Sequence, residues 1–201
     1  MKERAAHIIM FSLLLFTMTS CELFTTRNPE APDKNKSTFI PPTSPSIVVS
    51  NFISSIIEKN SSNYISCLAD TTQNDKYPFN FRPTGDAATL YASIFQSWSL
   101  ASERNYFNKL ITATAIDVKP ELTFENSRFD ILLPDSALFV ADYNLKINHD
   151  IAYINKEFRG TMQLIIFPRN NGLWSIKNWT DLKFVNDSIP SWSFLKGQLS
   201  N

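Results

Sequence analysis

Between residues 45 and 112 the apolar positions recur at helical spacing, and beyond residue 118 they alternate. Val48, Val49, Phe52, Ile53, Ile56 and Ile57 form one helical stripe, with Ser50, Asn51, Ser54, Ser55, Glu58 and Lys59 largely opposite. Ser44 suits the N-cap and Pro45 the first helical position. Asn60-Ser61-Ser62-Asn63 ends this helix and caps a short second one over 64–69, which predicts an antiparallel pair. Residues 77–83 read as a short strand whose prolines confine it to an edge. Gly85-Asp86 opens a further helical stripe of Leu90, Tyr91, Ile94, Phe95 and Trp98. Ser99 then caps a helix to about residue 112, with Phe107, Leu110 and Ile111 inward.

In the second half Leu122, Phe124, Phe129, Ile131 and Leu133 predict two strands around a turn at Glu125-Asn126-Ser127. Ala137, Phe139, Ala141, Tyr143, Leu145 and Ile147 alternate with polar residues over one long strand. Residues 158–167 and 173–185 supply two more, joined by Pro168-Arg169-Asn170-Asn171-Gly172. Phe158, Gly160, Met162, Leu164 and Ile166 should face the helices, with Gly160 marking a bulge or bend. Residues 190–199 suit a closing helix, with Trp192 and Leu195 over the sheet. Helices followed by long strands predict an α+β fold, N-terminal helices packed on a curved antiparallel sheet.

The first residues follow another logic. Lys2 and Arg4 precede an apolar run over 8–16, and small residues stand at 19 and 20. This is the layout of an export signal, too short for the ~20 residues that span a bilayer. Met18-Thr19-Ser20-Cys21 resembles the bacterial lipobox. The resemblance implies cleavage after residue 20 and lipid on Cys21, hence a membrane partner reached through acyl chains. Glu22, rather than Asp, at the next position leans towards the outer membrane, facing the periplasm. The chain thus divides into a signal at 1–20, a lipidated Pro-rich tether at 21–44 and a domain at 45–201, with Phe39 and Ile40 able to dock on the domain.

Lysine plus arginine and aspartate plus glutamate each number 19, so nothing points to nucleic acid as a partner. With Cys21 lipidated, Cys67 has no disulfide partner and reads as a buried structural thiol. His149, between Asn148 and Asp150, reads as a solvated turn residue. No spacing suggests a metal site, and no motif calls for a cofactor.

The opening helical pair, the short strand and helix in the middle, and the long strands ending in Trp174-Ser175-Ile176-Lys177-Asn178-Trp179-Thr180-Asp181 resemble the NTF2-like (SnoaL-like, cystatin-like) superfamily over residues 45–185. Cys21-Glu22-Leu23-Phe24, Pro41-Pro42-Thr43-Ser44-Pro45 and Asn63-Tyr64 also resemble a group of bacterial lipoproteins that carries no assigned activity. The superfamily resemblance implies a cone with a pocket at its open end, and members that are isomerases, dehydratases, or binding modules dimerising through the sheet. Trp98, Tyr143, Trp179 and Asp181 are the candidate pocket residues, although core packing is the simpler role for the aromatics. As bases, Asp181 and Asp142 are the strand carboxylates available. Asp142 should point outward. Asp181 should share a face with Trp179, opposite Trp174 and Ile176, and be exposed or paired with Arg159. With no recognisable acid–base set, a non-catalytic binding or envelope-assembly module comes first, its partner a small hydrophobic ligand, an envelope protein or a second copy through the sheet. An isomerase- or dehydratase-type enzyme acting on a small hydrophobic substrate is the alternative.

Overall fold

Helix α1 (Pro45–Ile57) begins where its cap chemistry places it: the Ser44 hydroxyl accepts the Ile47 N–H, and Pro45 opens the helix. The structure, a computed structural model, describes residues 37–73, 75–184 and 187–201. The signal, Cys21 and most of the expected tether lie outside the described residues. Residues 37–44 lie against the domain. The Ile40 N–H donates to Asn51 Oδ1 at 3.1 Å, Asn51 Nδ2 donates to the Ile40 carbonyl at 2.6 Å, and the Trp174 N–H donates to the Pro42 carbonyl at 2.8 Å. Asn51, on the expected polar side of α1, is therefore buried; Ser55, on the same side, is buried too, its hydroxyl donating to the Phe52 carbonyl at 2.7 Å.

Lys59 turns the chain with φ 54°, and the Asn60 side chain caps α2 (Ser61–Ser66). This helix ends earlier than its apolar pattern suggested. Leu68 forms a parallel bridge with Ile176, so the backbone after residue 66 is drawn onto a sheet edge instead.

Strand β1 (Asn80–Arg82) follows. Then come α3 (Gly85–Leu90), α4 (Ala92–Phe95) and α5 (Leu100–Ala113), the last opened by a reciprocal Ser99–Ser102 capping box. The expected stripe from Leu90 to Trp98 is not one helix. Tyr91 leaves helical geometry at φ −116° and ψ 39°, and Leu90 is 64% exposed. Strands β2 (Glu121–Leu133), β3 (Ser136–Lys146), β4 (Glu157–Pro168) and β5 (Trp174–Leu182) complete the sheet, and α6 (Trp192–Ser200) closes the chain.

The sheet order is β1-β5-β4-β3-β2, curved and unclosed. It is mixed rather than wholly antiparallel, because β1 enters the β5 edge in the same direction as the Leu68 bridge, pairing Phe81 with Trp179. The turn expected at residues 125–127 is instead an irregularity within one long β2. Asn126 takes φ 50° and the register shifts between Glu125 and Arg128.

Gly160 sits in unbroken register opposite Tyr143. A Cβ there would stand 2.5 Å from the Leu182 carbonyl oxygen and 2.7 Å from the Tyr143 hydroxyl, so there is no bulge at this position and close approach requires glycine. The bulge lies in β5. Ile165 pairs with Asn178 and Ile166 with Ile176, leaving Lys177 as the extra residue. Strict alternation would put Trp179 and Asp181 opposite Ile176. The bulge shifts the phase, so Ile176, Trp179 and Asp181 are all fully buried.

Candidate functional site

The inner face of the cone gathers Phe52, Tyr64, Trp98, Tyr106, Trp179 and Trp192. Trp179 stands nearly perpendicular to Trp192 at 4.9 Å and to Phe81 at 5.3 Å, and Tyr64 stacks on Phe107 at 3.9 Å. Three of the four candidate pocket residues, Trp98, Tyr143 and Trp179, thus serve as core.

Two charged residues share that core, and sequence reasoning missed both. Lys196 of α6 and Glu103 of α5 are each 0% exposed. Lys196 Nζ donates to Glu103 Oε1 at 2.6 Å and Oε2 at 2.8 Å. Glu103 also accepts from the Tyr64 hydroxyl and, at 2.7 Å, from Trp98 Nε1. The ammonium lies 3.7 Å from the ring centroids of both Phe81 and Trp179. Burial pushes the Lys196 pKa down to about 8, against the pull of Glu103. The signal was present in the chain. Trp192, Leu195, Lys196 and Leu199 occupy i, i+3, i+4 and i+7 of one stripe, and Glu103 lies in line with Leu100, Phe107 and Leu110.

Asp181 is neither exposed nor paired with Arg159, which instead meets Glu157 at 3.4 Å. Its Oδ1 accepts the Tyr143 hydroxyl at 2.7 Å, and its Oδ2 accepts both the N–H and the hydroxyl of Ser193. The Tyr143 oxygen in turn accepts the Trp192 N–H at 2.7 Å. Asp181 and Tyr143 therefore receive the first N–H groups of α6, donors that have no partner within the helix. Burial raises the Asp181 pKa, opposed by the Ser193 and Tyr143 hydrogen bonds. The Tyr143 pKa is raised well above its ordinary value by burial and by Asp181.

Asp142 lies elsewhere. It points away from the inner face, as expected, where it accepts from Thr161 Oγ1 at 2.6 Å and Asn126 Nδ2 at 2.8 Å. The two candidate bases are therefore not brought together. His149 is buried rather than solvated: its Nδ1 accepts the Ile151 N–H at 3.2 Å, and Nε2 lies 3.0 Å from the Asn155 carbonyl. Cys67 is buried, and desolvation pushes its thiol up to about 12, which removes it as a nucleophile at neutral pH. Among the described residues, no group of three or more His, Cys, Asp or Glu could hold a metal ion. Among them, too, no helix is long and apolar enough to cross a membrane.

No family model and no curated protein matches the chain. Solved structures do. A candidate dehydratase from the NTF2-like family of Streptomyces avermitilis superposes with a TM-score of 0.51 at 8% identity, covering 70% of this chain and 93% of that one. A nuclear transport factor 2 (NTF2-like) superfamily protein from Salmonella enterica gives a TM-score of 0.50 at 10% identity, covering 70% and 89%. The fold is the NTF2-like α+β cone.

Proposed function

We propose that this chain is a lipoprotein held to the bacterial envelope by acyl chains on Cys21, its NTF2-like domain a non-catalytic binding or assembly module. The observation that carries the non-catalytic part is the occupancy of Asp181. Both carboxylate oxygens are engaged by Tyr143 and Ser193, in a fully buried position under α6. A general base must reach the substrate proton directly or through one water. Here the chain's own helix takes that place. The balanced charge of the domain suits an uncharged or mixed partner at the outer membrane, and Met18-Thr19-Ser20-Cys21 supports the anchor.

The second possibility is an isomerase- or dehydratase-type enzyme. A buried carboxylic acid with raised pKa beside a tyrosine favours it. It requires α6 to withdraw during turnover. Asp181→Asn separates the two. Asn keeps an acceptor for Ser193 but cannot act as a base. In a strain lacking the gene, a module works normally with this variant at equal abundance, whereas an enzyme loses its phenotype-restoring activity. Failure of the folded variant to restore would overturn the non-catalytic proposal.

For the anchor, Cys21→Ser should leave an unprocessed precursor without added lipid mass, read by intact-protein mass spectrometry of the membrane fraction. A normally processed, membrane-bound variant would remove the lipoprotein assignment.

A further inference from the structure

We propose that a cavity of about 300 Å³, where residues 75–77 meet the ends of β4 and β5, binds a small planar organic anion, an aromatic carboxylate. Tyr77, Phe167, Lys76 and Lys177 line it, with Asp75 and Ser175 also in its wall. None of these belongs to the Lys196–Glu103 core or the Asp181 network, so the proposal stands apart from the function proposed above.

The first support is the β5 bulge. Lys177 is the residue that the β4–β5 ladder skips, and its side chain lines this cavity. Bulges re-aim side chains and recur beside binding sites. The second is the setting of its ammonium. Lys177 Nζ lies 3.9 Å from the Tyr77 ring centroid and 5.1 Å from that of Phe167. Lys76 Nζ lies 5.2 Å from the same Tyr77 ring. Among the described residues, neither lysine has a carboxylate within 4.0 Å. An ammonium carries three N–H donors, and cation–π contact orients it while leaving donors for an anion.

The third support is a wall already satisfied internally. Asp75 accepts from the Ser175 hydroxyl and, at 2.8 Å, from the Asp70 N–H. Arg169 Nε sits 3.1 Å from Asp75 Oδ2 as an ion pair, though its N–H is not aimed for a hydrogen bond. Arg169 Nη2 donates to the Ser66 carbonyl at 2.9 Å and the Leu68 carbonyl at 3.2 Å. The Asp75 charge is therefore neutralised within the wall. Asp135, exposed at the rim, is the one lining carboxylate left against two lysines. The balance favours an anion, and the aromatic surface favours a flat one, with rings of Tyr77 and Phe167 6.3 Å apart and inclined at 65°.

The test is isothermal titration of the full-length protein in detergent with 2-naphthoate and with neutral 2-naphthalenemethanol, protein-free detergent being titrated in parallel. Saturable one-site binding of naphthoate is expected. Lys177→Gln and Tyr77→Ala should each weaken it about tenfold, and Lys177→Arg should retain most of it, as loss or retention of a charge-assisted contact requires. The neutral alcohol should bind more weakly and ignore Lys177→Gln. Lys76→Gln, at an exposed position away from the bulge, should also weaken naphthoate and decides the matter if Lys177→Gln fails to fold. Absence of saturable binding, equal binding of the alcohol, or indifference of naphthoate to Lys76→Gln and the folded Lys177 and Tyr77 variants would each overturn the proposal.

Discussion

Lys196 and Glu103 depend on each other because neither has access to water. Removing one partner of a buried ion pair leaves an uncompensated charge, typically at a cost of ~3–5 kcal/mol. Lys196→Ala should lower unfolding stability in urea by about that amount. The double variant Lys196→Met with Glu103→Gln should lose less than the sum of the single losses, with a coupling of ~1–3 kcal/mol. Additive losses in that cycle would show the pair to be unimportant to the core. The pair also carries a pH signature. Burial lowers the Lys196 pKa to about 8 in the folded chain, from 10.5 for a freely solvated lysine. Over that interval the unfolded state binds more protons, so stability should rise with pH. The raised pKa values of Tyr64, Tyr106 and Tyr143 act in the opposite direction once free tyrosine begins to ionise near ~10. The window for a rise in urea midpoint is therefore between about pH 8 and ~10, and the Lys196→Met/Glu103→Gln variant should lack it. Asp181 shows the reverse sign. Its folded pKa is raised, so its contribution is complete below the unfolded value of 3.8 and is lost as pH rises through the folded value. Asp181→Ala strands the Ser193 and Tyr143 donors and should cost ~2–4 kcal/mol, whereas Asp181→Asn should cost ~1 kcal/mol. Equal losses for the two would show that acceptor geometry is not what Asp181 contributes.

At the scale of elements, α6 decides what the cone contains. Its N-terminal donors rest on Asp181 and Tyr143, while Trp192 Nε1 donates to the Tyr106 hydroxyl at 2.7 Å. Gly197 lets the helix seat against Tyr91, since a Cβ there would lie 2.3 Å from the tyrosine ring. Alanine normally gains about 1 kcal/mol over glycine inside a helix. Overpacking costs ~1–3 kcal/mol. Gly197→Ala should therefore destabilise the protein, and Tyr91→Ala should relieve part of that loss in the double variant, both read as melting temperatures. A stabilised Gly197→Ala protein would mean that α6 is not tightly seated. Tyr91, which lies over Gly197, is also the residue at which helical geometry breaks between α3 and α4. No periodicity in residues 85–98 could report a partner more than a hundred residues away.

For the whole molecule, curvature and closure set the function that remains available. The curved sheet supplies a concave face, and the C-terminal helix fills it with Trp192, Leu195 and Lys196, all fully buried. Trp192→Ala should cost ~3–5 kcal/mol, the loss expected for a large core aromatic, and should make the interior accessible to small ligands. Binding of an apolar dye to that variant but not to the wild type would show the cone to be a plugged cavity; equal binding by both would contradict the plug.

The caps at Ser44 and Ser99, the inward faces of β3 and β4, and the closing helix were legible in the sequence, because each depends on local spacing and local hydrogen bonding; the continuity of β2 and the break between α3 and α4 were not. The export signal proposed for residues 1–20 rests on a linear pattern as well. Tertiary structure alone decided the direction of β1, the phase of β5 and the company kept by Asp181, Lys196 and Glu103. A one-residue bulge reverses which side chains face inward, and its position depends on the neighbouring strand rather than on residues beside it. A charge in an apolar stripe is tolerable only if its opposite arrives from another element, so Lys196 and Glu103 become intelligible only when α5 and α6 pack together.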